Sequence, residues 1–257
     1  MDRDAFNKSF RAALAECLAD PQLAPVAKLV GEAEVGHFER FVHLLRCENE
    51  KVNLTAITDP AGMAVKHVAD SLLAFLVAEW PQGASVCDVG TGGGLPGLIL
   101  ALVRRDLELC LVDAVLKKLR AVERISAAVG LAVETVHARA EELGRRPGYR
   151  EGFDVVTARA VAFLPALAEL CLPLVRVGGW FVALKGPEAD EEIEAAAAAL
   201  RALGGELGQV RRVTLPLGAG GRTLIGIRKT HPTPDAYPRR AGIPAKNPIL
   251  EVGQRNP

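Results

Sequence analysis

The stretch Ser85-Val86-Cys87-Asp88-Val89-Gly90-Thr91-Gly92-Gly93-Gly94-Leu95-Pro96-Gly97 decides the fold of this chain. A short apolar run leads into a glycine-rich turn, and the turn opens a helix. A second apolar run, Leu109-Cys110-Leu111-Val112, ends in Asp113. This pairing is how an α/β sheet holds a nucleoside. Glycines let the backbone turn sharply and approach a ligand that any Cβ would touch. An acid at the tip of the following strand accepts hydrogen bonds from a ribose diol. The stretch therefore implies an adenosine-bearing cofactor.

Downstream, strands and helices alternate. After the strand at 85–89 and its helix at 95–104 come a strand at 109–112, a helix at about 116–129 and a strand at 133–136. A strand at 153–157, a helix at 164–174 and a strand at 180–185 entered through Gly178-Gly179 follow. An alanine-rich helix over 188–203 and a hairpin at 208–215 and 223–228 close the series. Alternating βα units predict an α/β fold, a mostly parallel Rossmann-like sheet with helices on both faces. Its ligands lie at the carboxyl ends of the strands. Upstream, Phe6, Phe10, Leu14 and Leu18, then Val35, Phe38, Val42 and Leu45, then Val65, Val68, Leu72 and Leu76, recur at helical spacing. Residues 1–80 are thus expected as a helical region and 81–230 as the cofactor-binding domain. The proline-rich basic tail, 231–257, has little to bury and is expected to be extended along the surface or disordered.

Composition narrows the function classes. The 257 residues carry 31 basic and 31 acidic side chains, which neither demands nor excludes a nucleic-acid partner. No apolar run reaches the roughly 18 residues of a membrane helix, and the start Met1-Asp2-Arg3-Asp4 is not a secretory signal. Cys17, Cys47, Cys87, Cys110 and Cys171 are scattered without metal spacing, as expected of reduced thiols in a cytoplasmic protein with no metal.

The glycine turn reads in two registers. From Gly90 it is G-x-G-x-G; from Gly92 the letters also satisfy G-x-G-x-x-G. Gly90 follows the strand directly, and Asp88 stands just before it. A carboxylate there can bond the turn or a cationic methionine amine, whereas a pyrophosphate would be repelled. With Glu141 as a further acid beyond the third strand, S-adenosylmethionine fits better than NAD. The closing antiparallel hairpin agrees with class I methyltransferases.

Six motifs occur in order: Asn53-Leu54-Thr55-Ala56, Lys66-His67-Val68-Ala69-Asp70-Ser71, the 88–97 turn, Arg139-Ala140-Glu141-Glu142, Thr157-Ala158-Arg159-Ala160 and Lys185-Gly186. Together they resemble the glucose-inhibited division protein B family, bacterial methyltransferases that make 7-methylguanosine in 16S ribosomal RNA. The tail Tyr237-Pro238-Arg239-Arg240-Ala241-Gly242-Ile243-Pro244 resembles the family's usual ending. The resemblance implies that the methyl donor lies against Gly90 and Leu95, within the turn carrying Asp88, Gly92 and Gly94. It further implies Asp113-Ala114-Val115 at the ribose and adenine, Ala140-Glu141 at the adenine edge, and Arg159 in the cofactor pocket. The resemblance also implies 16S rRNA as the acceptor, free, in the small ribosomal subunit or in an assembly intermediate, and a monomeric enzyme is expected. One departure is Glu48-Asn49, where family members often carry Trp-Asn.

Guanine N7 has a lone pair and no proton, so methylation needs alignment rather than a general base. His67, Asp70, Arg139 and Lys185 are positioning candidates. Lys117, Lys118, Arg120 and Arg124 form a basic helix face for rRNA, with Arg139, Lys185, Arg239 and Arg240 as further contacts. The bland readings are a helix pair for His67 and Asp70, a turn-holding role for Asp88, helix capping for Asn53 and Thr55, and ordinary surface charge. A methyltransferase for another acceptor, an NAD-dependent oxidoreductase and a non-catalytic nucleoside sensor are the competing classes. A Ser71–His67 hydrolase lacks the G-x-S-x-G elbow.

Overall fold

Strands β1 (Ser85–Val89), β2 (Glu108–Asp113), β3 (Val133–His137), β4 (Phe153–Arg159), β5 (Val175–Lys185), β6 (Gly205–Leu215) and β7 (Gly220–Lys229) form one sheet. Its order is β3-β2-β1-β4-β5-β7-β6 in a computed structural model that describes residues 2–159 and 162–251. Ala160 of the fifth motif and Pro257 of the tail lie outside the described residues. Strands β1 to β5 pair in parallel, and β7 joins β5 and β6 antiparallel. The order reverses between β1 and β4, which opens the ligand crevice of a doubly wound sheet. With its antiparallel closing hairpin, this is the mostly parallel Rossmann-like sheet expected from the sequence.

The central strands read as unbroken apolar runs because both faces are covered. Along β1 and β2, Val86, Leu109 and Leu111 join one core, while Cys87, Val89, Cys110 and Val112 join the other. The first core is shared with α6 (Gly97–Val103), α7 (Leu116–Ala128) and the N-terminal helices. Helix α1 (Arg3–Ala19) starts where the Asp2 side chain accepts from Ala5 N at 2.9 Å, and it buries Phe6, Phe10 and Leu14. After the short α2 (Ala24–Ala27), helix α3 (Glu32–Asn49) buries Phe38, Phe41, Val42 and Leu45. Pro60 opens α4 (Pro60–Gly62), capped by Asp59. The chain then runs through a π-helical turn (Met63–Ala69), α5 (Asp70–Leu72) and a 3-10 turn (Leu73–Leu76). The second core lies under α8 (Ala140–Leu143), α9 (Leu164–Cys171), α10 (Asp190–Ala195) and α11 (Ala197–Leu203).

Three expectations need correction. Gly178-Gly179 lies inside β5, which begins at Val175, with the register of the β4–β5 pair shifting near Phe153. The helix expected over 188–203 is two helices that meet at Ala196, which is fully buried. The tail is extended along the surface, but it also buries Thr233 and Pro244 and adds the short α12 (Ile243–Lys246). Its order comes from long-range bonds: Arg150 reaches the carbonyls of Thr233 and Tyr237 at 2.6 and 2.8 Å, and Arg145 that of Pro238 at 2.8 Å.

Candidate active site

The glycine turn is held from below. Gly90, Gly92 and Gly94 have φ of 69°, 56° and 84°, the left-handed region where a side chain is strained. Gly90 N and Thr91 N donate to Val112 O at 2.8 and 3.0 Å, which ties the turn to the end of β2. Asp88 is fully buried, and its carboxylate accepts from Thr91 Oγ1, Thr157 Oγ1 and Gly97 N at 2.7, 2.9 and 3.2 Å. Burial pushes this carboxyl above its ordinary value, against the pull of those three donors. Asp88 is thus committed to the turn rather than turned towards an ammonium group. A Cβ at Gly97 would stand 2.8 Å from Leu111 Cδ2, so α6 packs this closely only with glycine there.

At the carboxyl ends of β1, β2 and β3 lies a cleft of ≈ 260 Å³. Its lining includes Gly90, Ala114, Ala138 and Ala140 together with Asp113, Arg139 and Glu141. The Asp113 oxygens accept from Gly92 N at 3.0 Å and Val115 N at 2.8 Å, and each keeps a further lone pair. Small side chains beside an acid at the tip of β2 fit a flat purine nucleoside. Gly92, Gly94, Leu95 and Val115 lie outside the lining of this cleft; Gly92 and Val115 adjoin it through their bonds to Asp113.

Beside it, over the ends of β4 and β5, is a second hollow of ≈ 370 Å³, lined by Lys66, His67, Asp70, Arg159, Lys185 and Arg222 among others. Asp70, 3% exposed, accepts from Arg159 at 3.2 Å and from Arg222 at 2.9 Å. Arg159, expected in the cofactor pocket, lines this second hollow and also donates to Lys66 O at 3.0 Å. His67 Nε2 meets Thr55 Oγ1 at 2.9 Å, and Ser71 Oγ donates to His67 O at 2.5 Å. The serine thus bonds the backbone, not the imidazole, and no Ser–His pair forms. Asn49 Oδ1 accepts from Leu54 N and Thr55 N at 2.8 and 2.9 Å and so shapes the loop that delivers Thr55. Its neighbour Glu48 pairs with Arg124 and Lys51.

Burial, and then the charge of Arg159, lowers the His67 pKa from 6.5 to about 4. The unfolded chain binds this proton near the ordinary value and the folded chain only near the lowered one. His67 therefore supports stability fully above its ordinary value and progressively less as pH falls. Between about pH 7 and pH 5 this group alone is expected to cost about 2 kcal/mol of unfolding free energy. Urea titrations at both pH values check this, and His67→Gln should flatten the difference.

The basic candidates divide. Lys117, Lys118, Arg120, Arg139 and Arg240 have no side-chain partner among the described residues. Arg124 is spent on Glu48, Lys185 on Glu192 and Ala162 O at 2.7 and 2.8 Å, and Arg239 on Glu169 at 2.6 Å. Those three already carry a carboxylate partner. Sequence reading missed Arg222, which reaches Asp70 across 152 residues. It also missed Gly242 and Ala245, which line the first cleft. No local signal marks either.

No helix among the described residues is long and apolar enough to cross a membrane, and no cluster of His, Cys, Asp and Glu there suits a metal. Among solved structures, a ribosomal protein L11 methylase from Lactobacillus delbrueckii subsp. bulgaricus overlays with a TM-score of 0.49 at 18% identity, covering 65% of this chain and 79% of that one. A protein from Symbiobacterium thermophilum named "Ribosomal RNA small subunit methyltransferase G" is 49% identical over 233 residues, 87% of this chain and 95% of its own. One of the same name from Moorella thermoacetica is 48% identical over 217 residues, 84% of this chain and 90% of its own. The family model described as rRNA small subunit methyltransferase G matches residues 34–216. This chain belongs to that family, GidB.

Proposed function

We propose that this protein transfers a methyl group from S-adenosylmethionine to N7 of a guanosine in 16S rRNA of the small ribosomal subunit. The observation that carries the reading is the pair of adjoining hollows along the carboxyl edge of one sheet. The cleft over β1, β2 and β3 suits the nucleoside end of the donor, and the hollow over β4 and β5 suits the acceptor base. When bound, S-adenosylmethionine supplies a methyl group made electrophilic by its sulfonium. The residues at hand do the rest by placement. Asp113 offers lone pairs to a ribose diol, and Gly90, Ala114 and Ala140 leave room for the base beside it. Asp70, Arg159 and Arg222 form a fixed charged wall against which a guanine can be oriented. Holding two reactants in line supplies several kcal/mol of the barrier, about 7–11 in favourable cases. N7 has no proton to lose, so a neutral, buried His67 and the lack of a general base at hand agree with this chemistry. Lys117, Arg120, Arg139 and Arg240, all exposed, and the half-buried Lys118 remain as cations for phosphates. The named relatives point to the same acceptor.

Calorimetric titration with S-adenosylhomocysteine and, separately, NAD tests the donor. Tight binding of the first and none of the second is expected. In Asp113→Asn one amide oxygen replaces two carboxylate oxygens and serves only one of the Gly92 and Val115 N–H groups. S-adenosylhomocysteine affinity should fall about tenfold, or about 1.4 kcal/mol. NAD binding in preference, or an unchanged affinity in Asp113→Asn, would argue against this site.

A further inference from the structure

The tail reaches the nucleoside cleft, and side chains hold it there. Glu169 on α9 is fully buried, and its neighbour Leu170 lines the cleft. A buried carboxylate is costly unless its lone pairs are filled. Arg239 fills them: its backbone N donates to Oε1 at 2.8 Å, its Nε to Oε1 at 2.9 Å and its Nη2 to Oε2 at 2.6 Å. The same Nη2 donates to Asn247 O at 2.8 Å. One guanidinium therefore clasps both ends of the 239–247 loop. Within the loop, Gly242 turns the chain at φ 82°, and its N–H donates to Glu141 Oε1 at 2.8 Å. Gly242 and Ala245 line the same cleft as Gly90 and Asp113. Of the loop's apolar side chains Pro244 is buried and Ile243 is 41% exposed, so these polar ties supplement the packing.

We propose that residues 239–246 are a wall of the cleft for the adenosine end of the cofactor, and that Arg239, clasped to Glu169, is the positioning residue that sets affinity for it. This rests on the cofactor reading above. Arg239 does not line the cleft, so its loss acts through the loop. Donor binding should weaken while turnover at saturating donor holds.

The test uses the full chain and S-adenosylhomocysteine as probe. Arg239→Ala should raise the Kd about tenfold and the KM for the donor similarly, with kcat within about twofold of the parent. Arg239→Lys, which keeps one ion pair, should recover part of the loss. Breaking the clasp leaves Glu169 unpaired, so a second measurement is made on the unaltered chain. Saturating S-adenosylhomocysteine should slow tryptic cleavage after Arg240 about fivefold or more, with the exposed Lys28 site unaffected. An unchanged Kd in a folded Arg239→Ala chain, or unchanged cleavage after Arg240, overturns the proposal. A parent chain that binds no S-adenosylhomocysteine overturns the cofactor reading and this proposal with it, and that result appears before any variant is made.

Discussion

Asp88→Ala should destabilise the protein by about 3–5 kcal/mol and abolish S-adenosylhomocysteine binding. The carboxylate is fully buried and takes three donors from three elements: the Thr91 and Thr157 hydroxyls and the Gly97 backbone. Alanine leaves all three without partners. A hydroxyl can rotate and bond elsewhere, but the Gly97 N–H at the start of α6 cannot. Asp88→Asn tests this division. With its amide oxygen in place of Oδ2 it still accepts from Thr91 and Gly97, and its nitrogen donates to the Thr157 oxygen, so a smaller loss of about 1–3 kcal/mol is expected. Denaturant unfolding of both variants, with calorimetry of the folded fraction, supplies the comparison. An Asp88→Ala chain as stable as the parent would show that the turn stands without its buried carboxylate.

Asp70→Ala should separate acceptor chemistry from donor binding. Asp70 is 3% exposed and lies between Arg159 and Arg222. Removing it leaves two guanidinium groups facing one another without a counter-charge. Breaking a buried pair in this way costs about 3–5 kcal/mol. The wall of the second hollow opens, and methyl transfer should fall at least about a hundredfold, which is about 2.7 kcal/mol of transition-state stabilisation. S-adenosylhomocysteine affinity should stay within about threefold, because Asp70 lines the other hollow. Transfer assays and calorimetry on one preparation read both effects. Equal losses in binding and transfer would mean that the two hollows do not act separately.

The sheet was legible because its central strands are apolar on both faces and are bounded by glycines and an acid. Ser85–Val89 emerges with the expected bounds, and the strand at 109–112 is longer only by Glu108 and Asp113. The break at Ala196 was not legible, since every residue from 195 to 199 is alanine and none marks an end. Gly178-Gly179 resembled a turn because glycine pairs usually are turns, yet here they continue a strand past a register shift. At the site, the glycine turn and Asp113 could be read because their spacing along the chain is their geometry. Arg222 with Asp70, Glu169 with Arg239 and Glu141 with Gly242 lie 152, 70 and 101 residues apart, and no periodicity records such meetings. Arg159 lines the second hollow for a related reason. Its position at the end of β4 is clear from sequence, but which of two adjoining hollows it enters depends on Asp70, in a helical turn of the N-terminal region.

The most direct measurement is transfer of labelled methyl from S-adenosylmethionine to small-subunit RNA lacking 7-methylguanosine, offered naked and as 30S particles, followed by nucleoside analysis. Label recovered as 7-methylguanosine on either substrate is the expected result, and the better substrate identifies the assembly state on which the enzyme acts. Absence of label on both, from a chain that binds S-adenosylhomocysteine, would contradict the rRNA assignment and direct the search to another acceptor.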